Sequence, residues 1–245
     1  MKYNVYMFSK KEWIICIAQY LFLTGMVSIL FYDSLMVILL ILPFFYVYMK
    51  RQKRILCEKR LYEIKVQFLQ MISSMSTALI AGFSVENALK EAYSDMKNMY
   101  EDGAIIITEL EHMLNKIHLG ARIEEEISDF ADRTGSEEIR DFATVFEVAK
   151  KSGGKFSDVI ENCIQIIRSS IETETEIQIL ISGKKYEQKI MNIMPFVLIA
   201  ALRFTSPDMI GVLYHNPSGI IIMTFCLCIY IAALAMAEKI SDIRC

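Results

Sequence analysis

Charged residues are concentrated in the middle of this chain, and this segregation limits the possible folds more than any other feature. Of the 26 Lys/Arg and 29 Asp/Glu residues, 20 and 24 respectively lie between Lys50 and Lys189, which gives that stretch a net charge of −4. The middle therefore faces water, whereas the two ends contain the long, almost uncharged apolar runs that are typical of transmembrane helices. A mildly acidic middle domain also lacks the basic surface that nucleic-acid binding requires.

The first 50 residues are predicted to form a transmembrane hairpin. The apolar run at residues 13–32 is about as long as a bilayer is thick, and a second, shorter run covers residues 34–49. A basic cluster follows directly, so the positive-inside rule places it on the cytoplasmic side, together with the start of the chain. The residues predicted at this membrane interface are Lys50, Arg51, Lys53 and Arg54.

A second hairpin is predicted in residues 190–245. Its spans cover about 190–205 and 219–237, and the loop between them contains no Lys or Arg, so the end of the chain is also expected in the cytoplasm. Arg203 is the one charged residue within these spans. We interpret it as an arginine that snorkels from the end of its helix to the head groups, in preference to a residue on a transport pathway.

Residues 51–189 show helical periodicity throughout. Apolar residues recur at spacings of three, four and seven in six successive segments, which predicts one buried face on each of six helices. No alternating run of β-branched residues interrupts them, and no proline lies between Pro43 and Pro195. The sequence therefore predicts an all-α membrane protein, with a cytoplasmic antiparallel bundle of about six helices between two transmembrane pairs.

Glycines separate the predicted helices of this bundle. Gly82, Gly120 and the pair Gly153–Gly154 each follow an apolar helical stretch and precede another. Glycine suits the left-handed position just after a helix because it has no Cβ to clash there. We predict that these four glycines are structural hinges, and that Ser84 caps the helix after the first of them.

Acidic residues crowd two consecutive predicted helices after Gly120. Acids in the first turn favour the helix dipole, and a charged run is most often a solvated face. The same residues could also form a docking surface for a basic partner. The candidate docking face consists of Glu124, Glu125, Glu126, Asp129, Asp132, Glu137, Glu138 and Asp141.

The sequence contains no convincing catalytic, cofactor or metal site. His112 and His118 are six residues apart, so they do not share one helical face, and His215 is expected on the other side of the membrane. The segment around Gly153 and Lys155 lacks both the earlier glycine and the following Ser or Thr of a nucleotide-binding P-loop. We therefore predict a protein that is not an enzyme and that has no cofactor.

The arrangement of these motifs resembles the F-domain family of type II secretion and type IV pilus machines. The resemblance covers approximately residues 56–237 and is closest to the platform proteins B and C of the tight-adherence (Tad) pilus. It is carried by two transmembrane pairs around one helical domain and by the ordered motifs Ala81-Gly82-Phe83-Ser84, Ala149-Lys150-Lys151-Ser152-Gly153-Gly154 and Ser206-Pro207-Asp208-Met209.

The resemblance implies a platform protein of the inner membrane that couples a cytoplasmic secretion ATPase to the extrusion of pilin. The implied partners are a hexameric secretion ATPase, pilin subunits, membrane lipid, and either a second F-domain protein or another copy of this chain. Larger family members carry two such bundles, whereas this chain carries one, with no further domain expected before the first span.

Two other classes of protein fit parts of the pattern. A membrane-anchored signalling or interaction protein would have the same layout. A small transporter is less favoured, because its pathway would need polar groups at membrane depth, and the predicted spans offer few of them.

Overall fold

The structure, a computed structural model, describes residues 3, 8, 10–32, 44–101, 103–152, 156–206 and 217–241. Within these ranges the chain forms eight α-helices and no β-strand, which confirms the predicted all-α fold. The helices are α1 (Lys10–Tyr32), α2 (Phe45–Ile80), α3 (Val85–Met99), α4 (Ile105–His118), α5 (Ile123–Thr134), α6 (Glu137–Ser152), α7 (Phe156–Thr205) and α8 (Pro217–Ser241).

The described residues divide into two compact units. One unit contains Tyr3 and the described part of Lys53–Thr173, and the other contains the described parts of Phe8–Gln52 and Glu174–Cys245. Helices α2 and α7 contribute to both units and are continuous through residues 50 and 189. The domain boundaries expected at those two positions therefore remain predictions.

The first unit is a helical bundle built on the apolar stripes that the sequence showed. Residues from α2 to α7 form one buried core, in which Phe68, Phe130, Phe142 and Phe146 are among the largest fully buried side chains. The ring of Phe68 lies 6.0 Å from that of Phe130 and 5.3 Å from that of Phe142, measured between centroids. Burial of each such side chain stabilises the fold by roughly 1.5–3 kcal/mol, so these aromatic contacts fix how the helices pack.

Two described helices are long and apolar enough to cross a membrane. They are Glu12–Tyr32 within α1 and Ser218–Ala237 within α8. The span predicted at residues 34–49 lies largely outside the described residues, and the one predicted at 190–205 forms the last part of α7. The arrangement of four spans thus remains a prediction.

The second unit is held together by aromatic and polar contacts among α1, α7 and α8. Phe31, Phe196 and Met223 form a small buried cluster. The hydroxyl of Tyr230 donates to the carbonyl of Asn192 at 2.6 Å, and the Arg203 guanidinium donates to the carbonyl of Ile29 at 2.8 Å. Arg203 therefore bonds to a neighbouring helix, a contact that the snorkelling interpretation did not include.

Candidate docking surface of the helical bundle

Three glycines at the ends of bundle helices have left-handed backbone angles. Gly82, Gly120 and Gly135 have φ values of 90°, 97° and 70°. Two of these were predicted as hinges, whereas Gly135, which ends α5, was not. Its signal was present in the sequence, since a glycine after an apolar helical segment and before Ser136 is a common helix ending.

The first two of these glycines close their helices in the same way. At the end of α2, the N–H of Gly82 donates to Leu79 at 3.0 Å and that of Phe83 donates to Ala78 at 3.1 Å. The N–H groups of Gly120 and Ala121 repeat this pattern at the end of α4. This is the Schellman motif, which satisfies the last carbonyls of a helix. Because it needs positive φ, it also turns the chain toward the next helix.

The helix that follows each joint begins differently. Ser84 caps α3, with its hydroxyl accepting the N–H of Asn87 at 3.3 Å, as predicted. Arg122 occupies the same position before α5 without a side-chain cap. The glycines predicted as a third joint, Gly153 and Gly154, lie outside the described residues.

The eight acids of the candidate docking face do not share one exposed surface. Glu124 and Glu126 are buried in the first turn of α5, and Glu138 is half-buried in the first turn of α6. Each is paired with a lysine: Glu124 with Lys150 at 3.1 Å, Glu126 with Lys116 at 2.9 Å and Glu138 with Lys65 at 2.7 Å. These three acids join helices within the bundle. The expectation that they would face a partner does not fit their burial.

Local charges keep two of these internal acids ionised. Burial opposes ionisation of Glu124, but its pKa is lowered because its own backbone N–H and the Lys150 ammonium stabilise the carboxylate. Burial likewise opposes ionisation of Glu138, but hydrogen bonds from Lys65 and Ser136 lower its pKa. Both groups are therefore charged and internally compensated at neutral pH.

The remaining five acids are exposed on two helices that pack against each other. Glu125, Asp129 and Asp132 are spaced by four and three residues along α5, so they lie on one face of that helix. Glu137 and Asp141 are four residues apart on α6 and are also exposed. We name these five residues the acidic stripe. Pairs with Arg122, Arg133 and Arg140 partly compensate its α5 members.

The basic residues predicted at the membrane interface lie on α2. Lys50, Arg51, Lys53 and Arg54 are all exposed, and Arg54 pairs with Glu58 at 2.9 Å within the same helix. Helix α2 runs without a break from Phe45 through these residues into the bundle core. The structure includes no membrane, so their contact with lipid remains a prediction.

A buried polar cluster around Tyr3 was not found by sequence reasoning. The Arg133 guanidinium donates to both carboxylate oxygens of Glu109, at 2.7 and 2.6 Å, and the Tyr3 hydroxyl donates to the same carboxylate. Burial is the main reason that the pKa of Tyr3 rises to about 12. Burial opposes the charge on Glu109, but hydrogen bonds from Arg133 and Tyr3 lower its pKa. No sequence pattern links residues that are 106 positions apart.

The described residues contain no cluster of three or more potential metal ligands. The candidate surface consists of exposed carboxylates on two packed helices. Carboxylates arranged in this way steer and orient a basic partner, but they do not by themselves perform chemistry.

Comparison with known proteins identifies the family. No curated protein and no solved structure matches the chain. The family model of protein F of the type II secretion system (T2SS) matches residues 71–202, from the second half of α2 almost to the end of α7. Proteins of this family are structural membrane platforms of secretion and pilus systems. Since the match covers more than half of the 245 residues, the chain belongs to the type II secretion system protein F family.

Proposed function

We propose that this protein is a platform of the inner membrane in a Tad-type pilus or type II secretion machine. In this role it couples a hexameric cytoplasmic secretion ATPase to the extrusion of pilin subunits and has no enzymatic activity of its own. The observation that carries the proposal is the family match at residues 71–202, combined with apolar helices α1 and α8 before and after it in the sequence.

The proposed arrangement in the membrane has four spans. Residues 1–50 and 190–245 form the two hairpins, and both termini and the bundle of residues 51–189 are cytoplasmic. Support comes from the basic cluster at Lys50–Arg54 and from the absence of Lys and Arg in the loop at 206–218. With only one bundle per chain, the platform is completed by another copy of this protein or by a second F-domain protein.

The proposed ATPase contact is the acidic stripe. Its five carboxylates are exposed on two packed helices, whereas Glu124, Glu126 and Glu138 are engaged inside the bundle. A basic surface on the ATPase would find complementary charge here without breaking the lysine pairs of Glu124, Glu126 and Glu138.

Charge reversal tests this contact. Glu125→Lys combined with Glu137→Lys should reduce recovery of the ATPase about tenfold or more when the tagged protein is purified from its own host in mild detergent, because charge pairs at interfaces are strongly coupled. The matched control is Asp158→Lys combined with Glu161→Lys, which changes two exposed acids on α7 by the same charge. Mass spectrometry quantifies the ATPase. Equal recovery with both double variants would exclude the acidic stripe, and recovery of no secretion ATPase even with the unmodified protein would contradict the proposed function.

A further inference from the structure

We propose that Tyr3 is a reversible latch on the bundle, and that its seat is coupled to the acidic stripe through Arg133. The seat consists of Cys57 and Arg60 on α2, Glu109 on α4, and Phe130 and Arg133 on α5. Coupling to the stripe deepens the proposed function and rests on it, whereas the latch itself does not.

The seat engages every part of Tyr3. Its backbone N–H donates to the carbonyl of Arg133 at 2.9 Å, and its own carbonyl accepts a weak contact from the Cys57 thiol at 3.9 Å. The guanidinium of Arg60 lies 5.3 Å from the ring centroid, and the ring of Phe130 meets it edge-on at 6.4 Å. Only 5% of Tyr3 remains exposed. Backbone, ring and hydroxyl are thus all recognised, which is the pattern of a built site for this side chain.

The other residues of the seat can keep their contacts when Tyr3 leaves. Glu109 keeps its bidentate bond to Arg133 when Tyr3 leaves. Departure of the phenol therefore leaves neither of these two charges without its partner inside the bundle. An open cavity of about 540 Å³, lined by Tyr3, His112, Asn115 and Asp129 among others, adjoins the seat and provides room for the ring to move. Departure of Tyr3 costs its hydrogen bonds to Glu109 and to the Arg133 carbonyl and its ring contacts, but it leaves Glu109 and Arg133 paired with each other. These features suit a latch that opens and recloses.

Arg133 connects the latch to the acidic stripe. Besides Glu109, its guanidinium donates from Nε to Asp129 at 2.9 Å, and Asp129 is a member of the stripe. A basic partner that binds Asp129 competes with Arg133, and Arg133 in turn shares an oxygen of Glu109 with the Tyr3 hydroxyl. Any such coupling is reciprocal, so opening the latch must alter partner binding as binding alters the latch.

The native Cys57 thiol reports on the latch in the full-length protein in its own membranes. Tyr3→Ala should raise the rate at which a maleimide modifies Cys57 about tenfold, because without the ring and hydroxyl contacts the backbone carbonyl of residue 3 is no longer held against the thiol. Cys163 in the bundle, half-buried against the same core, is the internal reference and should react at an unchanged rate. Peptide mass spectrometry separates the two sites. Unchanged reactivity at Cys57 would show that Tyr3 does not occupy this seat.

A second variant tests whether the latch must open. The Cys57 thiol lies 3.9 Å from the carbonyl oxygen of residue 3, so in Tyr3→Cys mild oxidation should join the two thiols within one chain. We expect oxidation to lower pilus assembly or secretion by Tyr3→Cys and reductant to reverse that change, whereas Tyr3→Cys combined with Cys57→Ser should give one and the same level under both conditions. Full activity in the locked state would contradict a latch that opens, and a disulfide between two chains would contradict a latch formed within one.

Recovery of the secretion ATPase by the same variants separates the two parts of the inference. A locked protein that binds more or less ATPase than the reduced protein supports coupling through Arg133. Equal binding in both states would overturn the coupling while leaving the latch intact. If the unmodified protein recovers no ATPase at all, the proposed function fails, but the Cys57 reactivity still decides whether Tyr3 occupies its seat.

Discussion

At the scale of single residues, the backbone angle at Gly82 predicts how a substitution there changes the stability of the protein. A Cβ there would meet no atom within 4 Å, so space is not limiting, but φ is 90°. Gly82→Ala should therefore destabilise the protein by about 1 kcal/mol or more, because L-residues are strained in this region. The expected result is a lower thermal midpoint by far-UV circular dichroism in detergent.

Gly183 provides the matched control for this prediction. It also has open space around its Cα, but it lies inside α7, where a glycine costs roughly 0.5–1 kcal/mol relative to alanine. Gly183→Ala should raise the thermal midpoint or leave it unchanged. If both variants shifted the midpoint in the same direction, the difference in backbone angle would not be the cause.

Local signals in the sequence mark the helix ends at this scale, while the role of the glycines as hinges stays a prediction. Gly82 and Gly120 were found because a glycine after an apolar stripe marks a helix end regardless of the rest of the fold. Tyr3 could not be found, since its partners are distant in the chain and only tertiary packing brings them together. The three internal acids were grouped with exposed ones for the same reason: a run of acids in sequence does not show which carboxylates a lysine from another helix will reach.

At the scale of helices, Glu138 links α6 to α2 through Lys65. The pKa of its carboxyl is lowered in the folded protein, so the pair stabilises the fold above the ordinary carboxyl pKa of about 4.5, and this contribution is lost as the pH falls through the lower folded-state value. Glu138→Gln should therefore reduce stability at pH 7 by about 1–3 kcal/mol, as expected for a partly buried charged hydrogen bond.

Acid should abolish the difference between Glu138→Gln and the unmodified protein. Chemical unfolding of both proteins in the same detergent, followed from about pH 7 to about pH 3, measures this convergence. Glu137→Gln, a substitution at the exposed neighbour, serves as the control and should have little effect at any pH. A gap for Glu138→Gln that persists in acid would mean that packing, and not the ion pair, accounts for its effect.

Most of the bundle helices could be predicted from their periodic apolar stripes, because each stripe is the buried face of one helix whatever its neighbours are. Their order along the chain did not reveal that α2 would run unbroken through a predicted domain boundary, whereas the lack of a helix-breaking proline between Phe156 and the third span predicts the continuity of α7 into that span. Helix continuity depends on the absence of a breaking residue, whereas a domain boundary depends on how contacts are distributed. The end of a helix and the boundary of a domain need not coincide.

At the scale of the whole molecule, the proposed topology is open to a direct test. Single cysteines introduced into a cysteine-free version at the exposed bundle residue Glu161 and in the loop at 206–218 should differ in labelling. An impermeant maleimide added outside intact cells should reach the loop alone, because the positive-inside rule places the bundle in the cytoplasm. Labelling of position 161 from outside would reverse the proposed orientation.

The contact pattern of the bundle has a consequence for how it forms. The most extensive helix contacts join neighbours in the chain, notably α3 with α4 and α5 with α6. Such a low contact order favours rapid folding, helix pair by helix pair, as the chain leaves the ribosome. Tyr3 departs from this pattern, because it is synthesised before the bundle helices but cannot find its seat until α5 exists. Its closure is therefore a late step that marks a completed bundle.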